Sequence, residues 1–213
     1  HARGAVIGDV LGNLLSKAGY NVSREYYIND AGGQIDVLAR SVHLRYLQVL
    51  GNKIDKIPDG LYPGDYLVQT AKDLFERDGS KWSELKEEIW LPEFKNFAIE
   101  SMMALIRDDL MALGIIHDVF TSEASLVFNG SNNKVLNQLK SLDLVYVGTL
   151  KPPKGKILED WEKRPQLLFR STRFGDDVDR PLQKANGDWT YFASDIAYHL
   201  NKFERGFNSM INV

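Results

Sequence analysis

Hydrophobic residues recur at helical spacing in several stretches of the chain, and the first stretch begins almost at the first residue. Ile7, Val10, Leu11 and Leu14 fall on one face at steps of three and four residues, which predicts an amphipathic helix. Gly19 stands where a helix-ending residue is expected. The chain therefore opens on a helix whose apolar face needs a partner.

A second stripe on this helix consists of Gly4, Gly8 and Gly12, spaced four residues apart. Each glycine destabilises a helix by about 1 kcal/mol relative to alanine, so a compensating contact is expected. Close approach of a strand or of a phosphate group would supply it. We therefore expect the helix to pack on a sheet through its apolar and glycine faces.

The rest of the chain alternates helical and strand patterns. Helical periodicity covers residues 34–50, 66–77, 92–113, 131–142 and 194–206, with Pro92 as a first-turn proline. Strand patterns cover residues 22–28, 116–121, 145–150 and 209–213, the last as a buried strand. This order predicts α/β layering in which 22–28, 116–121 and 209–213 share one mostly parallel sheet.

Two stretches in the second half read as turns or loops. Asn186-Gly187 fits a two-residue hairpin turn between residues 181–184 and 189–192, in a separate small lobe. The run "KPPKGK", residues 151–156, breaks the pattern and is locally basic. It is either a solvated loop or a loop that contacts phosphate groups.

Composition limits the function classes. The 213 residues carry 26 basic and 29 acidic side chains, a net charge of −3, which excludes nucleic-acid binding by bulk positive charge. The absence of cysteine excludes disulfides and thiolate metal sites, and a reducing cytoplasm fits it. No apolar run approaches the roughly 18 residues of a membrane helix, and no targeting peptide is visible. The composition is that of a globular domain with a hydrophobic core.

Candidate chemistry is sparse when the residues are considered alone. The four histidines are scattered without metal-ligand spacing, so no metal site is predicted: His1, His43, His117 and His199. The stretch "FRSTRFGDDVDR" concentrates charges between Arg170 and Arg180. It could bind Mg²⁺, but it matches no calcium loop, and an ion-pair network that orders the loop is favoured.

Tyr191 and Asp195 stand four residues apart at a predicted strand-to-helix junction. A carboxylate and a phenol that point into one pocket could bind a guanidinium or ammonium group. Alternatively, Asp195 simply favours the first turn of its helix through the helix dipole. His199, one turn further on, either faces the same pocket or packs against the protein.

Four longer stretches together identify a family. They are "HARGAVIGD", "REYYINDAGGQIDVLARSVHLRY", "RSTRFGDDVDRPL" and "TYFASDIAYHLNKFERGF". In this order, and across the whole chain, they resemble the catalytic domain of bacterial arginyl-tRNA synthetases, which are class I enzymes. His1 matches the last histidine of the family's His-X-Gly-His signature, so the resemblance implies that the chain is a fragment of a longer enzyme. The KMSKS-like loop and the anticodon-binding domain would lie outside it.

The resemblance implies a fold and its division into parts. It implies a partial Rossmann-like class I catalytic core of α/β class, with a small inserted α+β connective lobe. Residues 1–124 would form most of the first half of the core, 125–188 the insertion, and 189–213 the return to the core.

The resemblance also implies roles for individual residues. His1, with Gly4, would contact the ATP phosphates at a helix N-terminus, a position that favours anions. Tyr191 and Asp195 would hold the arginine side chain, and Asn29-Asp30 would form a turn near the amino acid. The metal expected is Mg²⁺ that accompanies the substrate ATP, with no resident metal.

The implied partners are L-arginine, ATP and tRNA(Arg), with bound tRNA needed for the first step. The parent enzyme would act as a monomer in the cytoplasm, away from membranes, and the fragment alone would be inactive. The alternatives are a non-catalytic paralogue or fragment that binds RNA or protein, and a small-molecule adenylyltransferase. The adenylyltransferase has no reason to contain "TYFASDIAYH".

Overall fold

The computed structural model describes residues 2–54, 56–150, 164–184 and 186–213. The helices are α1 Ala2–Lys17, α2 Gly33–Val49, α3 Tyr66–Asp78, α4 Glu87–Ala112, α5 Glu123–Phe128, α6 Ser131–Ser141 and α7 Tyr191–Glu204. The strands are β1 Glu25–Ile28, β2 Val119–Ser122, β3 Val145–Gly148, β4 Gln166–Phe169 and β5 Arg180–Pro181, with a 3-10 helix at Ser171–Phe174. The fold is thus mixed α/β, as predicted. The basic loop at 151–156 lies outside the described residues.

The chain divides into two compact units. The first contains His1–Thr121 with Val213, and the second contains Ser122–Asn212. Which residues belong to a catalytic core and which to an insertion stays a prediction.

Helices α2, α3 and α4 pack together and form the core of the first unit. On α2 the buried residues are Ile35, Ala39, Ser41, Val42 and Tyr46, most of them at steps of three and four residues along one face of the helix. On α3 the pattern is the same, with Leu67, Thr70, Ala71 and Leu74 buried. The buried faces of these helices therefore pack against one another and stabilise this unit.

An aromatic cluster lies at the centre of this layer and consists of His43, Tyr46, Trp82, Trp90 and Phe94. The ring centroids of His43 and Trp90 are 3.8 Å apart and nearly parallel, and Phe94 meets both rings edge-on. The Tyr46 hydroxyl donates a hydrogen bond to the carbonyl of Gly79 and accepts one from the backbone N–H of Trp82. The cluster fixes α2 and α4 against the turn that follows α3.

The predicted start of α4 at Pro92 is wrong. The helix begins at Glu87 and includes Pro92 in its interior, although an interior proline removes one helical hydrogen bond. Burial of Trp90 against His43 accounts for the extension, because the ring reaches the cluster from the turn before the proline. Tertiary packing has overridden the local signal.

We expect this unit to lose stability as the pH falls through about 6.5, the ordinary pKa of histidine. Burial lowers the pKa of His43, so the unfolded chain binds a proton at a pH at which the folded chain does not. Stability is then present above the unfolded pKa and is lost as the pH falls toward the lower folded pKa. Urea midpoints measured from neutral to mildly acidic pH should show this slope, and His43→Gln should reduce it.

His117 is a second histidine that should contribute to this pH dependence of stability. Burial also lowers its pKa, so His117→Gln should remove a separate part of the slope. A slope that survives both substitutions unchanged would contradict the assignment.

The sheet of the first unit consists of β1 and β2, which correspond to the C-terminal parts of the predicted strands 22–28 and 116–121, with β2 ending one residue later at Ser122. The predicted strand at 209–213 is wrong. These residues form no regular structure, and most of them are exposed. A short apolar run becomes a strand only where another strand offers backbone partners, and this run pairs with neither β1 nor β2.

Packing of α1 through its apolar face is also wrong for this chain. Ile7, Val10 and Leu14 are about half exposed or more, at 53%, 49% and 63%. The glycine face does make contacts, and Gly12 is the buried residue of the helix. The helix is therefore attached to its unit by its glycine side.

The second unit contains an antiparallel sheet in the order β3–β4–β5 and the packed pair α6 and α7. The predicted turn at Asn186-Gly187 is present, but its two-residue form and the second strand at 189–192 are wrong, because Lys184 pairs with Asp188 across the turn and α7 begins at Tyr191. Gln183 pairs with Trp189, and the backbone N–H of Lys184 donates to the carbonyl of Asp188. A short helix, α5, follows β2 and is capped by the side chain of Ser122.

Candidate functional site

The start of α7 places the two residues predicted to hold arginine. The helix begins at Tyr191, three residues before the predicted start at Ser194. Its cap is Thr190, whose side chain accepts a hydrogen bond from the backbone N–H of Ala193 at 3.4 Å and donates one to the carbonyl of Pro181 at 2.8 Å. Sequence reasoning missed this cap, although a threonine before a helical apolar pattern is its usual signal.

The observed helix start bears on the helix-dipole interpretation of Asp195. Counting from Tyr191, Asp195 is the fifth helical residue, and the first turn contains no acidic side chain. The dipole effect acts within the first turn, so it does not account for this carboxylate. The interpretation of Asp195 as a residue that stabilises its helix through the dipole therefore loses its main support.

Tyr191 and Asp195 lie on the same face of α7, since residues four apart are neighbours on a helix surface. Both are exposed, Tyr191 at 69%. Surrounding protein atoms nevertheless reduce the hydration of the Asp195 carboxyl and raise its pKa, against the lowering effect of His199 and Lys202. In the described part of the chain, no lysine or arginine forms a salt bridge with Asp195.

His199 belongs to the C-terminal side of this helix face. Its Nδ1 lies 2.8 Å from the carbonyl oxygen of Asp195, and its Nε2 lies 3.0 Å from Nδ2 of Asn212. Both ring nitrogens are therefore engaged, which favours a packing role for His199 over direct contact with a ligand.

Asn29 and Asp30 line a pocket in the first unit, directly after β1. The cavity has a volume of about 210 Å³. Its other lining residues are mostly apolar: Tyr26, Ile28, Ile35, Leu38, Ile99, Met102, Met103 and Ile106. This volume is below the roughly 300–1,000 Å³ of most small-molecule sites. Tyr191 and Asp195 belong to the other unit.

Gly4 lies in the first turn of α1. His1, which comes before the helix in the sequence, is outside the described residues. A Cβ built at Gly4 would lie 3.9 Å from Val213, an ordinary van der Waals distance. Gly8 faces the same residue at 3.6 Å. The glycine face of α1 therefore lies at van der Waals distance from Val213, the last residue described.

The charged stretch between Arg170 and Arg180 forms the ordered network that the sequence favours. Asp179 accepts hydrogen bonds from the Tyr146 hydroxyl at 2.7 Å and from the backbone and side chain of Thr172 at 3.0 and 2.8 Å. Asp176 binds Arg180 through two hydrogen bonds of 2.7 Å, and this guanidinium holds the pKa of Asp176 well below its usual range. The carboxylates are occupied in holding the loop.

The described residues contain neither a cluster of metal-ligating side chains nor a membrane-spanning helix. Among residues 2–54, 56–150, 164–184 and 186–213, no three histidine, aspartate or glutamate side chains gather in a way that could hold a metal ion. None of the described helices has the length and apolar character needed to cross a membrane.

Comparisons with known proteins identify relatives over the whole chain. It is 56% identical to an arginine–tRNA ligase of Rhodospirillum rubrum over 220 residues and 58% identical to one of Azorhizobium caulinodans over 215 residues. Each alignment covers 100% of this chain and 37% of the relative. The chain thus spans little more than a third of the length of the curated relatives it matches. No protein-family model matches it.

Solved structures agree with the sequence relatives. A crystal structure named as an arginyl-tRNA synthetase of Campylobacter jejuni superposes with a TM-score of 0.80 at 33% identity, covering 98% of this chain and 42% of that one. An arginyl-tRNA synthetase of Plasmodium falciparum matches with a TM-score of 0.57 at 19% identity, which supports the fold alone. The resemblance that the four sequence stretches indicate is confirmed. The chain is homologous to a segment of proteins named as arginyl-tRNA synthetases.

Proposed function

We propose that this chain is part of the catalytic domain of an arginine–tRNA ligase that acts in the cytoplasm. In the first step the arginine carboxylate attacks the α-phosphate of ATP, and pyrophosphate leaves as arginyl-adenylate forms. In the second step the 2′-hydroxyl of the terminal ribose of tRNA(Arg) attacks the adenylate, and AMP leaves. Both steps depend on positioning and on stabilising charge on the phosphates.

The proposal assigns α1 to the nucleotide. The first helical N–H groups and the helix dipole favour an anion at this end, and His1 directly precedes the helix. His1 would contact the ATP phosphates as the α-phosphate is attacked, and Gly4 would allow close approach of the nucleotide. Mg²⁺ would accompany ATP as part of the substrate, and the described residues supply no carboxylate cluster for it.

The proposal assigns the exposed face of α7 to arginine. The planar guanidinium offers paired N–H donors to a carboxylate, and the Tyr191 hydroxyl adds a directional contact. The observation that carries this assignment is the place of Asp195: beyond the first turn of α7, without a salt bridge in the described part of the chain, and with a raised pKa. Asn29 and Asp30 are assigned more distantly, as a turn near the amino acid.

The proposal also includes the division into parts that the family motifs imply. Residues 1–124 would form most of the first half of a Rossmann-like class I core, 125–188 a connective insertion and 189–213 the return to the core. The parent protein would act as a monomer on tRNA(Arg). A non-catalytic paralogue is not favoured, because relatives named as ligases match every part of the chain.

The test is arginine-dependent exchange between ATP and pyrophosphate by the full-length protein that contains this chain, with tRNA(Arg) added. We expect exchange with arginine and none with citrulline, which has nearly the same shape but carries a neutral ureido group. A site built for a charged donor rejects the neutral analogue because its carboxylate is left unpaired. The 213-residue chain alone should give no exchange above the no-enzyme background.

Two results would contradict the proposal. Full-length protein that binds tRNA but exchanges no pyrophosphate with any amino acid would indicate a non-catalytic paralogue. Exchange by the isolated chain at the full-length rate would show that the essential groups all lie within residues 1–213.

A further inference from the structure

We propose that Arg24 is a positioning residue that fixes α1 against the β1–β2 sheet, and thereby sets the end of α1 that the proposed function gives to ATP. The inference rests on the proposed function only for the identity of the ligand at that end. Arg24 is the first residue of the family stretch "REYYINDAGGQIDVLARSVHLRY" and directly precedes β1, but neither periodicity nor the resemblance assigned it a role.

The backbone of Arg24 is anchored in the sheet. Its N–H donates to the carboxylate of Asp118 at 2.7 Å, and its carbonyl accepts hydrogen bonds from the backbone N–H groups of Asp118 and Val119 at 2.8 and 3.1 Å. Asp118 and Val119 lead into β2, so Arg24 joins the two strands where they begin to pair. The Cα position of Arg24 is therefore determined by the sheet.

The side chain of Arg24 leaves the sheet and binds the middle of α1. Nη2 donates to Oδ1 of Asn13 at 2.8 Å, and Nε lies 3.3 Å from Oδ1 of Asp9. Asn13 in turn donates to Asp9 at 2.8 Å, so one guanidinium holds a linked amide and carboxylate. Arg24 and Asp9 are only 21% and 20% exposed, which limits screening of the pair by solvent.

Gly12 makes room for this contact. A Cβ built on Gly12 would lie 2.8 Å from Nε and 2.9 Å from Cζ of Arg24, closer than real Cβ atoms approach. The guanidinium therefore lies flat against the helix backbone between Asp9 and Asn13. This explains why α1 carries a helix-weakening glycine at its buried position.

The contact matters because α1 has little else to hold it within its unit. Its apolar residues Ile7, Val10 and Leu14 are largely exposed. A rigid helix transmits a tilt at Asp9–Asn13 to its first turn, about two turns away at 3.6 residues per turn. Displacements of about 1 Å at reacting groups lower rates by up to about a hundredfold, so loss of the contact should appear in kcat.

The test uses full-length protein and the exchange assay. Arg24→Ala should lower kcat by about tenfold or more, equivalent to about 1.4 kcal/mol in the barrier, while the KM for arginine changes little. Arg24→Lys should recover only part of the loss, because an ammonium cannot span Asp9 and Asn13 as a planar fork does. Arg40→Ala is the matched control. It removes another two-bond arginine contact, to Glu87 on the helical layer, and should leave kcat unchanged.

Gly12→Ala separates positioning from simple stabilisation. The new methyl group displaces a flexible guanidinium while alanine strengthens the helix, so kcat should fall without a drop in melting temperature. The double variant with Arg24→Ala should be no slower than the slower single variant, since both remove one contact. Hydrogen exchange should also show faster exchange of α1 amides in both single variants.

Specific outcomes overturn the inference. Arg24→Ala that lowers the melting temperature but keeps kcat and α1 protection would make Arg24 an ordinary structural residue, as would Gly12→Ala with wild-type kcat. His1→Ala tests the proposed function separately. If it retains exchange, the nucleotide role of His1 is wrong, and α1 amide exchange in the Arg24 and Gly12 variants still decides the positioning claim.

Discussion

Asp195→Asn in the full-length protein is expected to lower kcat/KM for arginine by at least about tenfold, since about 1.4 kcal/mol corresponds to a factor of ten. The amide keeps the shape of the side chain but removes its charge. A hydrogen bond to a charged group contributes about 1.5–3 kcal/mol, against about 1 kcal/mol for a neutral one. In a closed site the loss should be larger, because a desolvated guanidinium would lack its counter-charge.

The substrate pair arginine and citrulline makes this prediction specific. Asp195→Asn should lower the ratio of kcat/KM for arginine to kcat/KM for citrulline. The KM for ATP should change little, because the nucleotide is assigned to α1. Tyr191→Phe should weaken arginine binding in the same direction but by less, since it removes one neutral hydrogen bond. The measurement is pyrophosphate exchange with each amino acid.

Glu204→Gln is the matched control on the same helix. It removes one negative charge from the last turn of α7, where Glu204 pairs with Lys134, and it should leave arginine kinetics intact. An equal effect of both substitutions would indicate that net charge on α7 matters and Asp195 itself does not. Asp195→Asn that lowers only thermal stability would return Asp195 to a structural role.

Phe94→Ala should produce the largest loss of stability in the first unit, about 3–5 kcal/mol in the free energy of unfolding. Phe94 is fully buried, and its ring meets those of His43, Tyr46, Trp82 and Trp90 with centroids 5.1, 5.6, 6.3 and 5.2 Å away. Truncation removes apolar burial and leaves a cavity that the packed rings of α2 and α4 cannot fill. Urea unfolding followed by tryptophan fluorescence measures the loss.

Phe75→Ala provides the comparison for this substitution. Phe75 is 36% exposed and contacts Tyr46 from the edge of the same cluster, with centroids 6.3 Å apart. Its truncation should cost well under half as much, because solvent fills the space that is vacated. Equal losses for the two substitutions would show that the cluster is not the centre of the core.

Helices with long periodic patterns were the most predictable part of the fold. Helical periodicity predicts the existence of α2 and α3, and Asn186-Gly187 predicts its turn, because these features depend on neighbours in the chain. The strand at 209–213 failed for the opposite reason. A strand depends on a partner that is distant in sequence, and five apolar-rich residues contain no information about whether one is present.

The candidate site could likewise be predicted from the sequence only in part. The residue types at Tyr191 and Asp195, and the family motifs around them, were sufficient to nominate an arginine site from sequence. Whether Asp195 served the helix dipole instead depended on the first residue of α7. That start is determined by Thr190, whose side chain caps the helix and binds the carbonyl of Pro181 in the hairpin strand.

The sequence by itself determined the resemblance to arginyl-tRNA synthetases, the α/β class and the residues that are proposed to bind arginine and ATP, because motifs and periodicity are local properties of the chain. Only the tertiary structure decided that α4 extends past Pro92, that the apolar face of α1 is exposed, and that Arg24 occupies the space over Gly12. Each of these depends on contacts between residues far apart in sequence, such as Trp90 with His43 and Arg24 with Asp118. The free energy of such contacts exceeds local propensities of about 1 kcal/mol, so they decide where elements end and which side chains face a ligand.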